Sequence, residues 1–101
     1  MTVKYETILK VNDVQIDLNE FAHEFITRIV ICAVSMLKGG SDVKELVYTM
    51  EGNKTALVIN NIAVPLSAFP RDALVHAFTG MASSLRGVNQ VNKLNIEMKA
   101  V

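Results

Sequence analysis

Apolar and polar residues alternate along MTVKYETILKV, pause at Asn12-Asp13 and resume at Val14-Gln15-Ile16. A period of two marks a strand with one buried face, and Asn-Asp tolerates the positive φ of a type I′ turn. The pattern therefore predicts a hairpin with Val11 opposite Val14 and Leu9 opposite Ile16. From Asn19 the apolar spacing lengthens to three and four residues, which predicts a helix over 19–38, capped by Asn19 and stopped by the basic-then-glycine pair Lys38-Gly39. Alternation returns in VKELVYTME, where Leu46, Tyr48 and Met50 share one face of a third strand.

The same instructions then run again, 48 residues later. Between Thr7/Thr55 and Glu51/Lys99 there are eleven identities in forty-five ungapped pairs, including Leu9/Leu57, Asn12/Asn60, Leu18/Leu66, Phe21/Phe69, Gly39/Gly87 and Met50/Met98. Chance supplies about three. Asn60-Asn61 marks the second hairpin turn, Ser67 a second N-cap, 67–86 a second helix with Pro70 in its first turn, and VNKLNIEMK a final strand. Gly52-Asn53 fits a type II′ turn joining the copies, with Glu51 across from Lys54 and Tyr48 across from Leu57. The expected fold is α+β: a tandem duplication of a ββαβ unit, residues 4–51 and 52–99 of one domain, with a mainly antiparallel sheet covered on one side by two long helices. Short loops predict that the strand entering each helix runs parallel to the strand leaving it, a parity at odds with a ferredoxin-like βαββαβ sheet unless Val14–Asp17 is no strand. That sheet and a pseudo-twofold barrel are the alternatives.

The helices differ where the repeat is least faithful. Phe25, Ile29, Cys32 and Met36 form a bulky stripe on the first, and the aligned Ala73, Ala77, Gly80 and Ser84 form a small one on the second. The stripes either pack together across a helix seam or line a groove for a ligand or partner helix. On the sheet, Val47 and Val58 are expected to face each other on the outer surface, where the other copy has Asn95 and Lys10, making this pair a candidate oligomer contact.

Composition narrows the partners. The 101 residues are half hydrophobic, and ten acids balance ten Lys and Arg with no basic cluster, which argues against nucleic acid or an anionic membrane as partner. The longest apolar run, IVICAVSML, is far short of the ~20 residues that span a bilayer. The N-terminal pattern lacks the apolar core of a signal peptide, so a cytoplasmic location is expected, and Cys32 reads as a packed hydrophobe.

Candidate chemistry is sparse. His23 and His76 lack a second His or Cys at ligand spacing, and the Glu20, His23, Glu24, Thr27 face reads as solvated, so no metal and no cofactor is expected. Asp13, Asp17 and Glu20 invite a metal reading, yet the second copy replaces them with Asn61, Pro65 and Ala68. Glu24 and Arg28, and at the aligned positions Asp72 and His76, each set an acid four residues before a base; this quartet is the candidate polar site, and a pair of helix-stabilising ion pairs explains it as well. The chain is accordingly expected to be a non-enzymatic binding or assembly module whose partner is another copy of itself or another protein. A small-molecule binder with a cleft between helices and sheet is the alternative, and an enzyme with a polar site at the helix seam comes third.

Overall fold

Asn12 and Asp13 take φ of +52° and +68°, and Asn60 and Asn61 take +53° and +66°, the two left-handed residues in succession that a type I′ turn requires. Each turn closes a hairpin between a long strand and a stub. In a computed structural model, which describes residues 4–37 and 39–101, the elements follow as β1 (Tyr5–Val11), β2 (Val14–Gln15), α1 (Glu20–Val34), β3 (Glu45–Glu51), β4 (Lys54–Ile59), β5 (Ile62–Ala63), α2 (Ala68–Ser83) and β6 (Lys93–Ala100). The strands form one antiparallel sheet in the order β2-β1-β6-β3-β4-β5, which with the two helices makes the chain an α+β protein.

The expected pairings within hairpins are present: Val11 faces Val14, Ile59 faces Ile62, Glu51 faces Lys54 and Tyr48 faces Leu57. The expected directions need correction. β1 and β3 are both antiparallel to β6 and so run alike, whereas β2 runs against β3. The strand that enters the helix is thus not parallel to the strand that leaves it. The reason is length: β2 holds two residues, and the chain leaves it through Ile16–Asn19, so the crossover is set by β1.

With the stubs set aside, the two halves run oppositely, as in a ferredoxin-like sheet. The order differs from that fold, because β1-β6-β3-β4 places the last strand of each half at the centre instead of the first. Since β2 and β5 lie at opposite edges, the sheet is open and is not a barrel. At its middle Tyr48 pairs with Ile96, the residue 48 positions further on, flanked by Leu46 with Met98 and by Met50 with Leu94.

Burial alternates along the long strands. Leu46, Tyr48 and Met50 are buried while Glu45, Val47 and Glu51 are exposed, and β6 buries Leu94, Ile96 and Met98. These residues form one apolar cluster with Leu9, Leu57, Ile26, Val30, Val34, Leu74, Phe78 and Ala82, which joins both helices to the sheet. Each such side chain contributes about 1.5–3 kcal/mol when fully buried. Phe78 meets Tyr48 edge to face, with centroids 4.9 Å apart and planes at 90°, an arrangement favoured by the ring quadrupoles. The Tyr48 hydroxyl is buried with no hydrogen-bond partner among the described residues, and burial pushes its pKa up to about 12.

Both helices end sooner than their periodicity suggests. After Val34 and Ser83 the ladder tightens into three-residue steps, Leu37 N–H to Val34 and Gly40 N–H to Leu37 in one copy, Leu85 N–H to Ala82 and Val88 N–H to Leu85 in the other. Gly39 and Gly87 then turn left-handed at +89° and +86°. Lys38, expected in the last turn, lies outside the described residues. Gly40 is required for space, because a Cβ there would collide with the Val34 carbonyl oxygen.

Candidate functional site

Asn19 caps α1 by accepting the Ala22 N–H at 2.8 Å, while Ser67 occupies the cap position of α2 without a side-chain bond. With its start so fixed, α1 turns Ile26, Thr27, Val30 and Val34 into the core. A helix has 3.6 residues per turn, so positions 21, 25, 29 and 32 follow one another along a different face, with Met36 two residues past the helix end. All five are exposed: Phe21 at 76%, Phe25 at 47%, Ile29 at 37%, Met36 at 84%, and Cys32 as a free thiol. Phe21 and Phe25 stack, with centroids 5.9 Å apart. Cys32, expected to be packed, is at the surface instead.

Ala73, Ala77, Gly80 and Ser84 are exposed too. The two stripes therefore do not close on each other as a packed seam. Each helix turns a different set of residues into the core, Ile26, Thr27, Val30 and Val34 on α1 and Leu74, Phe78, Met81 and Ala82 on α2. At one end the stripes border a common groove of about 340 Å³, in which Phe21 and Phe25 at the start of α1 lie beside Ser84 and Leu85 at the end of α2.

The polar quartet does not converge among the described residues. Arg28 donates to Glu24 at 2.7 Å, an exposed i,i+4 pair, but Asp72 takes its contact from Arg71 at 3.5 Å and not from His76. All four are exposed, and among the described residues no ion pair joins the Glu24–Arg28 pair to Asp72 or His76. Such pairs contribute a few tenths of a kcal/mol to helix stability.

Val47 and Val58 are cross-strand partners, as expected, and Val47 is exposed. They extend a row across the uncovered strand positions, Ile8, Glu97, Val47, Val58, in which Glu97 interrupts the apolar surface. Lys10 and Asn95 pair at the corresponding place between β1 and β6.

Two asparagines do work that the sequence did not suggest. Asn12 Oδ1 accepts the backbone N–H groups of Asn92 and Lys93, each at 2.9 Å, and Nδ2 donates to the Gln90 carbonyl at 2.8 Å. Asn60 does the same for Lys44, Glu45 and Asp42, at 2.8, 3.0 and 3.1 Å. Each turn thus grips the strand entry of the opposite half. Asp13 adds an ion pair to Lys93 at 2.9 Å; this hydrogen bond, with the charges of Asp13 and Glu51, holds the Lys93 amine above its ordinary range. The Asn retained in both halves, at a position where Asp or Gly also suits the turn, is the signal that could have shown a side-chain role.

His23, read as part of a solvated face, instead accepts the Thr7 N–H at 3.2 Å through Nε2. Beside it Thr27 Oγ1 donates to the His23 carbonyl at 2.7 Å and so must accept from Thr7 Oγ1, 2.6 Å away. These bonds pin α1 to β1.

A groove of about 550 Å³ runs between the end of α1 and the start of β3, where Tyr5 donates to the Val43 carbonyl at 2.6 Å. Burial, and secondarily the Asp42 charge, raises the Tyr5 pKa. Among the described residues no group of three or more His, Cys, Asp and Glu is placed to hold a metal ion, and no helix is long and apolar enough to cross a membrane. Comparison with protein-family models, with curated proteins and with solved structures gives no match to this chain.

Proposed function

We propose that this chain is a non-enzymatic assembly module that associates with another copy of itself through the apolar face of α1. The observation that carries the reading is the exposed run Phe21, Phe25 and Ile29 on the surface of α1, continued by Met36 just past its end. At about 200 Å² per large side chain these fractions amount to roughly 500 Å² of apolar surface. The largest apolar patch of a typical monomer is about 300–600 Å² and is often functional. Phe21 and its counterpart Phe69 are the same residue in both halves, although both are exposed and neither serves the core.

The same reading takes the chain as one domain made of two tandem ββαβ repeats, 4–51 and 52–99, whose helices lie on one side of the sheet. It is supported by the shared 48-residue offset of turns, capping glycines, asparagine clamps and central pairs. Duplication accounts for the second exposed phenylalanine without a second function.

Light scattering or sedimentation of the purified chain tests the assembly. The expected mass at tens of micromolar is about twice the 11.1 kDa of the chain. Phe25→Ala should raise the dissociation constant while leaving the circular dichroism spectrum unchanged. A chain that stays monomeric up to about 1 mM would sink the proposal.

A further inference from the structure

Gly80 sits inside α2, where glycine lowers helix stability relative to alanine. Among the described residues nothing requires it. It is not among the left-handed glycines, which are Gly39, Gly52 and Gly87, and a Cβ built on it meets no atom within 4 Å. Ala77 and Ser84, one turn to either side, are small and exposed as well. At its Ser84 end the small stripe of α2 lies beside the Phe25 end of the bulky stripe of α1, since both residues border one groove.

A ridge and a valley side by side are self-complementary under a two-fold rotation about an axis along the seam between them. We propose that two copies of this chain associate face to face through their helices about such an axis, each seating its Phe25–Met36 ridge on the other's Ala73–Ser84 valley. This rests on the self-association reading above and adds which surface receives α1.

Two further features fit this seat. With Phe21 counted, two α1 ridges supply about 1,000 Å² of apolar surface, and the exposed Ala73, Ala77, Gly80 and Ser84 of both copies add to it toward the ~1,200–2,000 Å² of stable dimers. The start of α1 carries Glu20 and Glu24, exposed and outnumbering Arg28, while Arg86 follows the end of α2. Because the start of α1 lies beside the end of α2, an axis along the seam sets the acids of one copy over Arg86 of the other. An axis across the seam would instead stack ridge on ridge and leave both valleys empty.

Gly80→Leu tests the seat in the full chain. Gly80 is exposed, its Cβ position is clear of the described residues, and leucine favours the helix, so the variant should keep its circular dichroism spectrum. It fills the valley twice per dimer, and the dissociation constant measured by sedimentation should rise about a hundredfold. Ala77→Leu is the second variant and should act alike. A dimer that Phe25→Ala weakens but Gly80→Leu and Ala77→Leu leave intact overturns this seat while sparing self-association. A monomeric wild-type chain overturns both. Failure of both leucine variants to fold overturns the seat as well, since an open valley accommodates either side chain.

Discussion

Replacing Asn60 separates what a turn needs from what the two halves need of each other. At φ +53° the backbone favours Asn or Gly, and an alanine there costs about 1 kcal/mol in left-handed strain. The side chain adds three hydrogen bonds to Asp42, Lys44 and Glu45, all at the surface, each contributing about 0.5–1 kcal/mol. Asn60→Gly, which keeps the φ and removes the bonds, should therefore cost about 2 kcal/mol, and Asn60→Ala about 3 kcal/mol. Asn60→Asp keeps the accepting oxygen and loses only the donor to Asp42, for about 0.5–1 kcal/mol. Urea unfolding followed by far-UV circular dichroism at one fixed protein concentration gives all three values, and heating should show about 4–8 °C per kcal/mol for a domain of this size. Asn12 makes the matching bonds at the other hairpin, so Asn12→Gly should cost about the same and the double variant should be additive within about 0.5 kcal/mol. If Asn60→Gly proves neutral while Asn60→Ala is destabilising, the asparagine serves the turn alone and the clamp contributes nothing.

Two further predictions concern buried hydroxyls. Tyr48 has a folded pKa near 12 against about 10 when unfolded, so the unfolded chain loses its proton first and stability falls as pH rises from 10 to 12. Tyr48→Phe should be neutral or stabilising by about 1 kcal/mol at pH 7, because it removes a buried hydroxyl without a partner, and should flatten much of that alkaline loss. Tyr5, whose pKa is raised as well, retains the remainder; an unchanged alkaline slope in pH-dependent urea melts would contradict the assignment. Thr27→Val should cost about 1–2 kcal/mol by leaving the Thr7 hydroxyl without its acceptor, whereas Thr7→Val leaves Thr27 bonded to the His23 carbonyl and should cost less; the reverse order in denaturant titrations would refute the inferred proton direction.

The local grammar was legible because it is written in short-range chemistry. Paired left-handed residues, an asparagine cap, glycine stops and a period of two or 3.6 specify hairpin, helix and strand within a few residues of one another, and the 48-residue offset made each reading twice. The helix ends were read too late, since periodicity marks an apolar face and says nothing of where the hydrogen-bond ladder tightens.

Tertiary structure decided the rest. The direction of β3 followed from β1 and not from the nearer β2, because two residues make too short a ladder to set a crossover. The exchange of strands, which brings β6 between β1 and β3 and gives Asn12 and Asn60 their distant partners, depends on pairings some 80 and 16 residues apart. Exposure of the α1 stripe was hidden for a related reason: an apolar residue on a helix looks the same in sequence whether its own fold or a second chain will cover it. The sequence by itself determined the elements and their repetition, since these rest on neighbouring residues. Only the packed sheet decided which apolar faces were used up in the core and which were left over for contact.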